Sequence, residues 1–277
     1  MKKLIYLISI FLILLSCDQI DDPYAQGIID NGGGEEVPDS LARNALLIEF
    51  TAIKCRNCPE ASARAQDLID ANKGRVFGLN VHSGILAVAN GDQPDFRNKY
   101  SDELYLLAKN PPQPTGMVNF IPNGTAANLA NSLEWEQIIQ QELNKKASMR
   151  IELEVQEVST NNYNLIAKMI YLEDPDENDQ LAIYLTENGI IGYQLNIETQ
   201  IDDYEHNHVL RKAVLGTLGE SIYDPNLSAG DTLTREIPIE IEDEWVAENI
   251  SVIAFVYDFE DTFEIQQVNE IYLVSNE

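Results

Sequence analysis

Ala45-Leu46-Leu47-Ile48-Glu49-Phe50-Thr51-Ala52-Ile53-Lys54-Cys55-Arg56-Asn57-Cys58 is the stretch on which the reading of the whole chain turns. Residues 45–50 form an apolar run of strand length, and a helical pattern follows the second cysteine to about Asn72. The Cys-x-x-Cys pair therefore stands where a strand feeds a helix. At such a point, unpaired backbone amides and the positive end of the helix macrodipole favour a thiolate over a thiol, and Lys54 and Arg56 add positive charge. Cys55 is expected to be the more acidic sulfur, with Cys58 one turn inside the helix. Glu49, on the preceding strand, is either a buried proton acceptor or a strand-edge, partly exposed carboxylate.

The chain has three cysteines, and the third, Cys17, belongs to the N-terminus. Lys2, Lys3 and the apolar run Leu4–Leu15 have the order of a secretory signal, and the run is shorter than the roughly 20 residues of a spanning helix. It ends on Leu14-Leu15-Ser16-Cys17, which resembles a lipobox. That resemblance implies cleavage after Ser16, acylation of Cys17 and attachment to a membrane through the lipid. Residues 18–40 hold seven acidic residues, no Lys or Arg, and a triple glycine, so they read as an acidic tether. The acids beside Cys17 resemble a surface-export signal, which implies the outer face of the outer membrane; the alternative is a solvated linker facing the periplasm.

In an oxidising envelope a lone Cys55–Cys58 pair is a disulfide or a redox couple. A bridge between residues three apart removes little unfolded-state entropy, so stapling the fold is a poor reason for it. Two sulfurs do not make a zinc site, and His82, His206 and His208 show no spacing that would complete one. No metal and no cofactor is implied. His82, at the end of its strand, is either a proton shuttle near the pair or a packing or surface histidine.

Charge divides the chain. Residues 1–150 carry 14 Lys+Arg against 18 Asp+Glu, a net of −4, and residues 151–277 carry 4 against 28, a net of −24. Such acidity excludes nucleic acid and anionic lipid headgroups as partners of the second half.

Arg75–His82 reads as a strand, Pro94–Lys109 as a helix or helix pair, Gly116–Ile121 as a strand and Leu133–Lys146 as a helix, an alternation that predicts an α/β layer fold. From Met149 the texture becomes β: 149–158, 163–172, 181–186, 208–215, 232–241, 250–258 and 265–274 read as strands, several with apolar and acidic residues alternating, and predict an antiparallel sandwich. The loop Asp174–Asp179 reads as a solvated turn rather than a calcium site. His206-Asn207-His208 reads as strand, with both imidazoles on one face near Asp202, Asp203 and Glu205. Arg211, one of four basic residues in this half, is expected to pair with a carboxylate.

The order strand, Cys-x-x-Cys, helix, strand, helix, then Gln113-Pro114-Thr115 entering a strand, resembles the thioredoxin superfamily over residues 41–148. That resemblance implies a cis-Pro114 facing the cysteines, attack by Cys55 and resolution by Cys58. The chain departs from the pattern at Lys54, where Trp is usual, at Arg56-Asn57 between the cysteines, and at Pro59. A second resemblance rests on Tyr204-Glu205-His206-Asn207-His208-Val209-Leu210-Arg211, Gly219 and Val252-Ile253-Ala254-Phe255-Val256-Tyr257-Asp258, together with the lipobox and the cysteine pair. These are similar to a Bacteroidetes outer-membrane lipoprotein family with a thioredoxin-like domain and a C-terminal β-domain.

The expected organisation is thus a signal peptide (1–16), a tether (17–40), an α/β thioredoxin-like domain (41–148) and an all-β antiparallel sandwich domain (149–277). Two functions fit it: a lipid-anchored thiol–disulfide oxidoreductase acting on exported proteins, and a non-catalytic surface binding or adhesion lipoprotein that keeps the fold as a scaffold.

Overall fold

A computed structural model describes residues 41–274. Cys17, the signal peptide and the tether lie outside the described residues. The chain begins with β1 (Ala45–Thr51), every residue of which is buried, as a central strand covered on both faces requires. It continues through α1 (Cys58–Ala71), β2 (Val76–His82), α2 (Lys99–Leu107), β3 (Thr115–Val118) and α3 (Trp135–Leu143). Helix α2 is shorter than the sequence pattern because Asn98 caps it: its side-chain oxygen accepts from the amides of Tyr100 and Ser101, and the preceding residues stay extended or irregular.

The second half is strand after strand: β4 (Met149–Ser159), β5 (Asn162–Tyr171), β6 (Asp179–Glu187), β7 (Ile190–Leu195), β8 (Gln200–His206), β9 (Val209–Ala213), β10 (Glu220–Ser221), β11 (Thr232–Glu240), β12 (Ile250–Asp258) and β13 (Ile265–Tyr272). The β7–β8 hairpin is absent from the strands expected from the sequence. Its second strand, Gln200–His206, is acidic and half exposed and lacks an apolar alternation.

The expected α/β thioredoxin-like domain followed by a separate sandwich is not what forms. The described residues hold far more strand than helix, with three α-helices, and strands from both halves join in one mixed sheet of eight. Its main path runs β13-β12-β6-β9-β2-β1-β3, with β10 on β6. The join is a parallel contact between β2 and β9, Asn80 against Val209, reinforced by Asn80 N–H donating to the His208 carbonyl at 2.7 Å. The reason is that β2 otherwise ends the first-half sheet with an unpaired row of backbone groups, and a strand 130 residues on supplies the partner.

The core follows the sheet. One cluster combines Leu46, Ile48, Phe50, Leu79 and Val81 with Tyr184, Leu210, Ile253, Phe255 and Val268. A second cluster packs β4, β5 and β11, a three-stranded sheet, against the other face of β6 and β12, so the second half is sandwich-like in packing. The alternation of Leu165, Ala167, Met169 and Tyr171, all buried, supplies its middle strand. The β7–β8 hairpin is a two-stranded sheet of its own.

Candidate functional site

Cys55 and Cys58 are joined in a disulfide with Cα atoms 5.4 Å apart. The turn that carries them is closed by Cys55 N–H on the Ala52 carbonyl (3.1 Å) and Cys58 N–H on the Cys55 carbonyl (3.3 Å). Helix α1 starts at Cys58, with Asn57 as an N-cap whose side chain makes no capping bond. Cys55 therefore lies two residues before the cap, and Cys58 is at the first helical position rather than one turn inside. Both are buried, at 3% and 1% exposure, beside Ala52 and Ala87. Lys54 is tied to the Val88 carbonyl through its ammonium and to the Leu86 carbonyl through its amide. Arg56 is exposed and reaches the Ile197 carbonyl at 3.4 Å.

Glu49 is fully buried, which overturns the partly exposed alternative. Burial pushes its carboxyl up to about 8, and the hydrogen bond from Ser62 pulls the other way. Ser62 Oγ lies 3.0 and 3.1 Å from the two carboxyl oxygens. Because Ser62 stands one helical turn after Cys58 on the same face of α1, the carboxyl sits under the face that carries the second sulfur.

Pro114 follows a cis peptide bond at the entry to β3. Its loop is tied to the strand ends by Gln113, whose side-chain amide donates to the carbonyls of Thr51 (2.8 Å) and Ser83 (3.0 Å). His82 ends β2 directly opposite Thr51. It is buried, with its ring edge-on to Phe96 and His206, and burial followed by the nearby His206 holds its pKa well below the ordinary value. An imidazole that stays neutral packs the site and does not carry protons near neutrality.

His206 and His208 do not share a strand. Strand β8 ends at His206, β9 begins at Val209, and His208 between them has φ of +55°. Both rings nevertheless line one cavity of about 260 Å³ with Cys58, Ser62, Gln66 and His82. Gly78 on β2 makes room for it, since a Cβ there would stand 2.8 Å from Ile69 and 3.0 Å from the His208 ring. Burial lowers both imidazoles to about 4, so both rings are uncharged at neutral pH. Among the described residues no group of three His, Cys, Asp or Glu side chains is placed to hold a metal ion.

The acidic loop 174–179 ends on Asp179, which is buried and accepts from the Asp176 amide and the Gln266 side chain at 3.1 and 3.0 Å. Arg211 forms an ion pair with Glu187 at 2.9 Å and stacks over Trp245.

The residues that the sequence reading missed are on the hairpin. Gln194, 2% exposed, and Tyr204 cover the cysteine turn and the cavity. The available signal was the glycine-bounded apolar run Gly189-Ile190-Ile191-Gly192-Tyr193, between two strands that were recognised.

In fold the structure is similar to HBP35 of Porphyromonas gingivalis, with a TM-score of 0.66 and 20% identity, covering 84% of this chain and 76% of that one. It is also similar to a protein of Agrobacterium tumefaciens, with a TM-score of 0.52 and 12% identity over 85% of this chain and 97% of that one. A domain of the outer membrane lipoprotein Omp28 from Porphyromonas gingivalis is 24% identical over 46% of this chain and 88% of that one, with a TM-score of 0.32. No curated protein sequence matches the chain. The model of the outer membrane protein Omp28 family matches residues 103–276, a stretch that begins after the cysteine pair and so includes Pro114 but neither sulfur. The chain belongs to the outer membrane protein Omp28 family, and its place is the outer membrane of the cell envelope.

Proposed function

We propose that the protein is a lipid-anchored thiol–disulfide exchange protein acting on exported proteins, with Cys55, Cys58 and Pro114 as its working residues. The observation that carries this reading is a disulfide at a helix start with a buried, proton-holding Glu49 bonded to Ser62, one turn along the same helix from Cys58. In the reduced protein, the Cys55 thiolate attacks one sulfur of a partner disulfide and the other partner sulfur leaves as a thiolate. Cys58 then loses its proton and attacks Cys55 Sγ, which releases the partner's second thiolate. The partner gains two electrons and the Cys55–Cys58 bond re-forms. A carboxyl held near 8 is ionised in a minority of molecules at neutral pH, and in that fraction the carboxylate takes the proton of Cys58, because its basicity is close to that of a thiol of ordinary pKa ~8.5.

With the reduced mature protein at mildly acidic pH, iodoacetamide is expected to label Cys55 first. Cys58→Ser is expected to accumulate mixed disulfides with envelope proteins, and Cys55→Ser is not. Equal, slow labelling of both sulfurs would leave the second reading, a non-catalytic surface binding or adhesion lipoprotein. The burial of both sulfurs favours that second reading.

The membrane attachment is assigned to the lipid on Cys17. Cys17→Ala is expected to abolish incorporation of radiolabelled palmitate and to move the protein out of the outer-membrane fraction. Retention there with the label intact would refute the anchor.

A further inference from the structure

The cysteine turn is covered by the β7–β8 hairpin. Gln194, on β7, directs its amide at the carbonyls of Cys55 (3.1 Å) and Ala52 (3.3 Å), as well as that of Leu195 (2.9 Å). The next residue, Leu195, donates its backbone N–H to the Ile53 carbonyl at 2.8 Å, and the Ile197 carbonyl lies against Arg56. Ile190 and Tyr193 pack on Ile53, Phe96 and Val209. Gly192 is pressed so closely on Pro94 that a Cβ would stand 2.8 Å from the proline ring. A partner's backbone approaching Cys55 would have to enter the space that residues 194–197 fill.

Away from the turn the hairpin is held by side-chain packing, chiefly the His206 ring on His82 and Phe96. It shares no ladder with either of the larger sheets, and a two-stranded hairpin by itself is marginally stable in water. Its contacts with the turn are a few hydrogen bonds and one small apolar cluster, the kind of attachment that opens locally below the cost of global unfolding. Both of its ends are turn positions with left-handed backbone, Gly189 (φ +69°) and His208 (φ +55°), which suits them to act as hinges.

We propose that the β7–β8 hairpin is a lid over the Cys55–Cys58 pair, and that thiol exchange proceeds when the lid swings away from the turn. The proposal deepens the exchange reading given above, and it explains why a reactive disulfide is found 97% or more covered. With dithiothreitol as the reductant, one thiolate attacks Cys55 Sγ, the Cys55–Cys58 bond breaks and Cys58 leaves as a thiolate that takes up a proton. The second dithiothreitol thiolate closes on the first sulfur and expels the Cys55 thiolate. The pair gains two electrons and dithiothreitol is oxidised to its cyclic disulfide. With the lid closed, the rate of this reaction is scaled down by the fraction of time the lid is open.

The test is the second-order rate of reduction of the mature protein by dithiothreitol, followed by trapping the free thiols and weighing the product. Gln194→Ala removes the amide that binds the turn, and Gly192→Ala wedges the hairpin off Pro94 from the opposite side. Each is expected to accelerate reduction at least tenfold, equivalent to about 1.4 kcal/mol of lid opening, with the far-UV circular dichroism unchanged. Rates within twofold of wild type in both variants would overturn the lid. If one variant fails to fold, the other decides. Dithiothreitol needs no protein partner, so this outcome is independent of whether exchange is the function: faster reduction of the variants, with no mixed disulfides from Cys58→Ser, would keep the lid and refute the exchange reading.

Discussion

Residues 41–148 produced on their own are expected to remain without a cooperative fold. In the whole chain, Leu46, Ile48, Phe50, Leu79 and Val81 are covered by Ala182, Tyr184, Leu210, Ile253, Phe255 and Val268, all of which the fragment lacks. Leu104, Met117 and Ile121 of the same cluster stay in the fragment, so the five side chains are uncovered on one side and forfeit part of the about 1.5–3 kcal/mol that full burial of each contributes, a loss still large against the roughly 5–15 kcal/mol by which domains are stable. Backbone partners go with them. The β9 contact on β2 disappears, and so do the bonds by which Ile121 N–H reaches the Phe263 carbonyl and the Asn119 carbonyl receives Ile265 N–H. Circular dichroism in a urea series should show a shallow, non-sigmoidal loss of signal, with binding of a hydrophobic dye before denaturant is added. A sharp two-state transition in the fragment would show that the first half closes by itself and that the shared sheet is dispensable.

Glu49→Gln is expected to stabilise the protein by several kcal/mol in alkaline solution while slowing exchange. The carboxyl has an ordinary value of 4.5 and is raised to about 8 in the fold. Below pH 4.5 it is protonated in both states and contributes nothing to the pH dependence. Between the two values the unfolded chain gives up its proton and the folded chain keeps it, so stability falls as pH rises, and the loss is complete above about 8. At 1.36 kcal/mol per pK unit, the full loss is on the order of 5 kcal/mol. A glutamine cannot ionise and escapes it. Other buried groups titrate in the same range, with His206 and His208 lowered and Asp179 raised to about 6, but they are common to both proteins and cancel in the difference. The measurement is the urea stability of wild type and variant from pH 5 to 9. A difference that grows with pH supports a buried carboxyl with a raised pKa, and parallel curves would refute it. If the carboxyl also takes the proton of Cys58, the variant should resolve mixed disulfides at least tenfold more slowly, so that stability is gained where activity is lost.

Much of the local structure was legible along the chain. The run Ala45–Phe50 is a strand because it is apolar on both faces, and Ile151, Leu153 and Val155 alternate with carboxylates because one face of their sheet meets solvent. The helix after the cysteines was evident as well, and only its first residue was misplaced, from Cys55 to Cys58. The capping of α2 by Asn98 was a readable signal that the reading passed over. Glu49 could be seen to precede the pair, but its alternation partners Leu47 and Thr51 did not reveal that α1 would seal it off, because burial depends on what is laid over a strand rather than on the strand itself.

By itself, then, the amino-acid sequence determined most of the strands and helices, β7 and β8 excepted, together with the approximate place of the cysteines among them, the lopsided charge and the family whose model matches residues 103–276. These follow from periodicity, propensity and composition, which act over a few residues at a time. Only the tertiary structure decided that β9 would complete the sheet begun by β1 and β2, that His82, His206 and His208 would meet around one cavity, and that Gln194 would bind the Cys55 carbonyl. Those outcomes depend on pairing an unsatisfied strand edge, and covering an apolar face, with residues more than a hundred positions away. No local pattern encodes that choice, because the free energy that selects it exists only once the distant surfaces are in contact.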